Sequence, residues 1–334
     1  MTYRVASLFS GCGGSDIGLL GGFSFLTKKY KTLPTEIVAA WDIDNKAVQT
    51  YDLNFRHTAH VGCVSDFQAN QYQNIDVVVG GFPCQSFSTV NPTKDPYDEK
   101  GKLYKEMGRI IKELSPKFFI AENVKGMMVL KKGKIFKRIL QEFEQHGYTL
   151  SYRLLNSANF GVPQKRERVI LIGSLEKYSI KFPPPIYREK NKVGLIDLFR
   201  DNHPEWITVK EAIDDLKNIP ENIDINHIFT KCGTDFIKKI KKTPIGKSVY
   251  GGFSDAYFRC YPNEPSKTVK ENHGGVFIHY EKDRFMTPRE LARLQSFEDS
   301  FLFEGTKSQI LVQIGNAVPP KLSYAIAETL LKEF

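Results

Sequence analysis

Two rhythms of apolar residues take turns over the first 173 positions of the chain. Short apolar runs at residues 4–9, 36–40, 75–79, 117–121 and 169–173 have the length and β-branched content of buried strands, and residues 149–156 fit a strand as well. Residues 59–64 form a less regular strand candidate. Between these runs the spacing turns helical: from Ile17 onward, over 45–53, over 103–114 up to Ser115-Pro116, and over 135–146 up to Gly147. Strand and helix signals in strict alternation predict an α/β fold, a doubly wound sheet covered by helices.

After Ser174 the alternation stops. Pro183-Pro184-Pro185 marks a linker, and residues 174–283 read as a second, smaller and irregular domain with glycine pairs at Gly251-Gly252 and Gly274-Gly275. Regularity returns at Arg284. Thr287-Pro288-Arg289-Glu290 gives an N-cap, a proline at the first helical position and an acid in the first turn, so a helix is expected to about residue 297. Residues 313–320 then open a final amphipathic helix over 321–331. The chain thus divides into residues 1–173 plus 284–334, which make one domain, and 174–283, which make the other.

Composition narrows the class. With 334 residues, 41% hydrophobic and 25% charged, the chain is an ordinary soluble globular protein, and it shows neither a membrane-length apolar run nor a signal-peptide pattern. A cytoplasmic address is expected. Five scattered cysteines without a CxxC pair suggest neither a disulfide framework nor a metal site. The net charge of +9 favours a polyanionic partner, with basic clusters at Lys131, Lys132, Lys134, Lys137 and Arg138 and at Lys238, Lys239, Lys241 and Lys242. Such runs also occur on plain solvated helix faces.

The candidate chemistry lies where strands end. Residues 80–88 read GGFPCQSFS and put Cys84 on a loop just past a strand's carboxyl end, flanked by Pro83 and the hydroxyls of Ser86 and Ser88. Ligands bind at that edge in open α/β sheets. A free cysteine taken alone is more often a small buried hydrophobe. Residues 10–16, SGCGGSD, form a glycine-rich turn between a strand and a helix, which departs from the dinucleotide pattern GxGxxG. Asp42 and Asp66 follow further strand runs, and Glu122-Asn123 follows the run at 117–121. The polar loop 86–101 is long enough for a functional lid.

Taken together, the strings SLFSGCGGSDIGL, GGFPCQSFS, ENV, QKRERVILIG, TPRELARLQSF and QIGNAVPP resemble, in order and spacing, the cytosine-C5 DNA methyltransferase family. The resemblance covers residues 7–173 and 284–331, and in the second domain Pro265-Ser266-Lys267-Thr268-Val269 and Gly274-Gly275. It implies a mixed sheet of the S-adenosylmethionine-dependent methyltransferase type with an irregular target-recognition domain. Cys84 would be the nucleophile that adds to C6 of cytosine, as a thiolate can near neutral pH. Glu122 would protonate N3, Arg168 would hold O2, Arg166 would order the cysteine loop, and Asn123 would position that loop. S-adenosylmethionine would be the donor, and S-adenosylhomocysteine the product, with no metal. Phe9, Gly11, Gly13 and Gly14 would wall its site, Asp42 would take the ribose hydroxyls, and Ile43 would cover the adenine. Asp66 with Phe67 would take the adenine edge, and Leu103, Asn316 and Val318 would close the pocket.

The partner implied is double-stranded DNA, with the cytosine flipped out of the helix. Ser86 and Ser88 would lie against the DNA, Arg259 would read a base, and Thr268, Gly274 and Gly275 would shape a second recognition loop. A monomer working beside a restriction endonuclease is expected. The sequence departs from the family at Ser86, where proline is frequent, and in GCVSDF around Asp66. Two other activities stay open at this point: a tRNA cytosine-C5 methyltransferase of the same superfamily, and a nicotinamide-dependent oxidoreductase using the glycine turn.

Overall fold

The structure, a computed structural model, describes residues 2–83, 103–175, 180–190, 203–250, 256–271 and 277–333. The alternating part opens with strand β1 (Tyr3–Leu8), helix α1 (Gly14–Leu20), a small hairpin of β2 (Ser24–Phe25) and β3 (Lys28–Lys29), strand β4 (Thr35–Asp42) and helix α2 (Asn45–Asn54). Strands β5 (His60–Val61) and β6 (Val77–Gly80), helix α3 (Leu103–Leu114), strand β7 (Phe118–Val124), helices α4 (Gly126–Val129) and α5 (Lys134–Glu144), and strands β8 (Thr149–Asn156) and β9 (Glu167–Ser174) complete it.

Seven of these strands make one sheet in the order β5-β4-β1-β6-β7-β9-β8. Strands β4, β5, β6 and β7 run parallel to β1, whereas β9 is antiparallel to both of its neighbours, β7 and β8. The sheet is therefore mixed and doubly wound, as the alternation predicts. From β1 the chain moves outward to β4 and β5 and then returns to β6 on the other side. The switch point lies between β1 and β6, where Leu8 pairs with Gly80, so the glycine turn and the cysteine loop leave the sheet from paired positions.

Side chains alternate across the sheet, which gives two apolar layers. Ala6 and Leu8 face α3 and α5 together with Met107, Ile110, Ile139 and Phe143, while Tyr3 and Val5 face the opposite layer with Leu322, Ile326 and Leu330. Strand ends depart from the apolar runs by one to three residues because pairing, not hydrophobicity, sets them. Strand β7 reaches Val124, so Glu122 and Asn123 stand inside the sheet rather than beyond it. The run at 59–64 keeps only the two residues of β5.

Beyond residue 203 come α6 (Val209–Ile213), α7 (Thr234–Lys242), β10 (Phe258–Arg259) and β11 (Phe277–Ile278), then α8 (Pro288–Leu294), α9 (Lys307–Asn316) and α10 (Pro320–Leu330). Helix α8 has the expected capping box on Thr287 and Glu290. The apolar pattern did not predict α9, which starts at a second capping box, Thr306 with Gln309. Val209, Ile213, Phe258 and Phe277 are buried in one cluster with Cys12 and Ile17 of the glycine turn and α1 and with Leu291 and Ile314 of α8 and α9. Much of the region at 174–283 thus shares its core with the segments before and after it, and the small cluster of Ile240 and Ile278 with Phe285 is shared in the same way.

Helix α10 lies on α1 so closely that a Cβ at Gly18 would stand 2.4 Å from the Pro320 carbonyl and 2.5 Å from Ser323 Cβ. Gly18→Ala should destabilise the protein by about 1–3 kcal/mol through overpacking. A lowered urea midpoint is the check; an unchanged one would mean that the helices can part without cost.

At the start of α8 the fully buried Glu290 receives both terminal nitrogens of Arg284, at 2.7 and 2.8 Å, and the Thr287 N–H. His279, also fully buried, stands 3.8 Å away, and its Nδ1 accepts the N–H groups of Glu281 and Lys282. Burial lowers its pKa from 6.5 to about 4, against the pull of Glu290. A histidine kept neutral binds fewer protons folded than unfolded, so its contribution is complete above about pH 6.5 and is lost as the pH falls toward 4. His279→Asn keeps an acceptor at the Nδ1 position and should flatten that part of the stability–pH curve in denaturant titrations.

Candidate active site

The glycine turn is fastened to the end of β4. The Ser10 N–H donates to the Trp41 carbonyl at 3.0 Å and the Gly11 N–H to Asp42 Oδ2 at 2.8 Å. Asp42 Oδ1 accepts the Asp44 N–H at 2.8 Å, and burial raises the Asp42 carboxyl above its ordinary range. A carboxylate offers about four acceptor positions, so Asp42 can still take a hydroxyl. Beside it Ile43 is 74% exposed, an isolated apolar side chain at the mouth of the strand edge. Phe9 enters the turn at φ 54, a conformation uncommon for a residue with a side chain.

The three glycines are there for different reasons. At Gly11, φ is +54 and a Cβ would meet nothing within 4 Å; it borders open space. A Cβ at Gly13 would collide with Phe55 at 2.3 Å, and one at Gly14 with the Val318 carbonyl at 2.5 Å. Those two are small so that α2 and the segment before α10 can approach. Val318 is thereby brought to the turn, and Asn316 stands exposed at the end of α9. Asp66 is exposed at the end of a single turn, Val64–Asp66, and the Phe67 ring is fully buried, stacked on Tyr72. Leu103 is half-buried at the start of α3.

Behind the turn the sequence reading missed a buried hub. Asp16 has no exposure and accepts hydrogen bonds from Ser7 (2.8 Å), Ser15 (3.0 Å) and Tyr51 (2.7 Å), while Tyr51 Oη is also 2.8 Å from His57 Nε2. Burial raises its carboxyl pKa despite these donors. The signal was present: Ser7 interrupts an apolar strand, and Asp16 sits in the first turn of an otherwise apolar helix.

Across the switch point stands an ion pair. In the β7–β9 ladder Arg168 is opposite Val124, which makes Glu122 its diagonal neighbour on the same face. Arg168 Nε lies 2.7 Å from Glu122 Oε1, with side-chain exposures of 12% and 17%. A Cβ at Gly81 would be 3.1 Å from Glu122 Oε2, and Asn123 Nδ2 donates to the Phe82 carbonyl at 3.1 Å. The start of the cysteine loop, Gly81-Phe82, therefore lies against Glu122-Asn123, as expected of neighbouring strands. Cys84, Ser86, Ser88, Gly274 and Gly275 lie outside the described residues.

A ladder-like pairing joins residues 163–166 to 266–269. Lys165 N–H donates to Ser266 O and Ser266 N–H to Pro163 O, while Thr268 Oγ1 donates to the Lys165 carbonyl. Gln164 Oε1 accepts the Val269 N–H at 2.9 Å, and Arg166 Nη1 donates to the Val269 carbonyl at 3.0 Å. Arg166 Nη2 continues to the Gly315 carbonyl at 3.1 Å. Arg259, expected to read a base, is buried on β10. Its guanidinium is turned inward at 5% exposure and donates to the carbonyls of Ile240 and His279 and to Asp283 Oδ1 at 2.8 Å. Residue type alone does not tell an arginine that joins elements from one that meets a partner.

A glycine turn and a strand-end carboxylate on one side of a switch point, and a carboxylate–guanidinium pair on the other, stand at the sheet edge where α/β enzymes bind their ligands. Residues 3–332 match the family of C-5 cytosine-specific DNA methylases. The chain is 34% identical to the type II methyltransferase M.NgoFVII of Neisseria gonorrhoeae, over 99% of this chain and 87% of that one. It is equally 34% identical to the type II methyltransferase M1.HphI of Haemophilus parahaemolyticus, with the same coverage. Among solved structures it resembles a prophage-encoded E. coli protein described as a DNA modification methyltransferase, with a TM-score of 0.74 at 23% identity and 99% coverage of both chains. The chain belongs to the C-5 cytosine-specific DNA methylase family.

The family's methyl donor is S-adenosylmethionine, and the residues at the glycine turn suit such a group. Gly11 borders open space, Asp42 has acceptor capacity, Ile43 is bare, and the buried Ser10 Oγ has no hydrogen-bond partner among the described residues. Asp42→Ala should weaken S-adenosylhomocysteine binding about 10- to 100-fold, the worth of a charge-assisted hydrogen bond plus the lost anchor of Gly11. Calorimetry checks this; an unchanged affinity would remove Asp42 from the cofactor site.

Proposed function

We propose that the chain methylates C5 of a flipped-out cytosine within one short duplex DNA sequence, with Cys84, Glu122 and Arg168 as its catalytic residues. The observation that carries the assignment of residues is the Glu122–Arg168 pair, which lies beside the start of the cysteine loop. C5 of cytosine is a weak nucleophile. Addition of the Cys84 thiolate to C6 moves electron density onto N3 and O2 and makes C5 nucleophilic. Glu122 supplies a proton at N3, and Arg168 holds O2, so the two partners of the ion pair divide to meet adjacent atoms of the base. When bound, S-adenosylmethionine supplies the electrophilic methyl group. A solvent base then takes the C5 proton, N3 returns its proton to Glu122, and Cys84 leaves as a thiolate, which is stable near neutral pH.

Asp42 is suited to orient the donor's ribose, Ile43 to cover its adenine, and Asn316 and Val318 to close the pocket from the far end of the chain. Asp66, the Phe67 backbone and Leu103 complete its rim. Relatives named as type II methyltransferases support a role in restriction–modification, in which this chain protects sites that a partner endonuclease would cut.

Bisulfite sequencing of plasmid DNA from cells expressing the wild type and Cys84→Ser tests the proposal. The expected result is methylcytosine at one recurring motif, absent in the variant. Methylation that survives in Cys84→Ser would overturn the covalent mechanism. Glu122→Gln removes the proton donor and should lower kcat by about 10²- to 10⁴-fold with DNA still bound; single-turnover rates on a duplex carrying the motif provide the check.

A further inference from the structure

Residues 231–247 hold six lysines and a single aspartate, more than half of the net charge of +9 carried by the whole chain. Lys231, Lys238, Lys239, Lys241, Lys242 and Lys247 are all exposed. Lys238 pairs with Asp235 at 3.0 Å in an open setting, and among the described residues no carboxylate pairs with Lys241 or Lys242. Four of the six stand on α7, where Lys238 is three and four residues from Lys241 and Lys242. Like charges at those spacings repel across one helix face. The helix dipole favours cations in the last turn, but it disfavours Lys231 before the helix and does not reach Lys247 beyond it. A surface that served solubility alone would carry both signs interspersed.

The row of charge is also rigidly mounted. Ile240, the buried residue of α7, packs against Ile278 and Phe285, and Phe236 lies against Tyr257 and Phe285 with ring centroids 5.7 Å apart in each case. The Ile240 carbonyl receives Arg259 Nη2 at 2.7 Å, so the arginine that ties β10 to Asp283 also holds the end of α7. Lys239 Nζ lies 5.5 Å from the ring centre of Tyr250, which is 39% exposed. Fixed cations beside an open aromatic match a polyanion of regular charge spacing.

We propose that α7 with its flanking lysines is a phosphate-binding surface that grips the DNA backbone and contributes affinity without reading sequence. The proposal rests on the DNA methyltransferase activity of the family. Each phosphate neutralised on duplex DNA releases counterions, and the slope of log Kd against log salt changes by about 0.9 per contact. The test replaces Lys238, Lys239, Lys241 and Lys242 together by Gln and measures binding to two duplexes of equal length, one carrying the motif found by bisulfite sequencing and one lacking it.

The expected result is a salt slope shallower by about two or more, with affinity for both duplexes reduced by the same factor of at least tenfold. The methylated motif and kcat at saturating DNA should stay as in the wild type. Unchanged slope and affinity would overturn the proposal and leave α7 a solvated helix. Loss confined to the duplex carrying the motif would overturn it too, because the lysines would then be reading bases. The wild type methylating the same duplex is the reference, so failure of the α7 proposal is told apart from failure of the reaction.

Discussion

Val269 is gripped on both sides of its peptide group, by Gln164 at the N–H and by Arg166 at the carbonyl, and this grip decides where three parts of the chain meet. Gln164 and Arg166 are fully or almost fully buried, so neither can leave its partners without a desolvated polar group standing alone. Gln164 also donates to Gln295 and the Leu294 carbonyl at the end of α8, and Arg166 to Gly315 near the end of α9. A Cβ at Gly315 would stand 2.4 Å from the Glu271 nitrogen, which shows how tightly the segment 266–271 is laid over α9. Two residues beyond Arg166, the same stretch carries Arg168 against Glu122. The positions of the segment 266–271 and of Arg168 are thus set by one short run of hydrogen bonds.

The sheet was legible because its strands are short apolar runs of the right length and its helices keep a steady 3.6 spacing. Glu122 and Arg168 were legible as candidates through the strings ENV and QKRERVILIG. Their pairing came from the antiparallel register of β7 and β9, which no string contains. Asp42 could be picked out as a strand-end acid, whereas Asp16 could not be read as a hub until α1, α2 and β1 were packed around it. The inward placement of Arg259 was not legible, because an arginine's five donors suit carbonyl clusters and base edges alike. Helix α9 escaped the apolar pattern because it buries a polar Gln313, whose Oε1 accepts from Thr50 at 2.6 Å.

Two buried polar systems stand apart from the switch point. Behind the glycine turn, Asp16 gathers three hydroxyl donors and fixes α1 against α2 and β1. At the start of α8, Glu290 gathers Arg284 and the Thr287 backbone beside His279. Each satisfies its own charge locally, which lets the polar groups at the switch point remain free for a ligand.

The packing around the glycine turn joins residues far apart in the chain: Cys12 Sγ meets the Gln313 carbonyl, Ser323 Oγ donates to the Ser15 carbonyl, and Gly14 leaves room for Val318. Pairs separated by about 300 positions cannot form until the later partner has been made. A nascent chain that has already exposed its glycine turn has no closed pocket until α9 and α10 have left the ribosome. Fragments cut short before those helices would leave the glycine turn without the segments that pack on it.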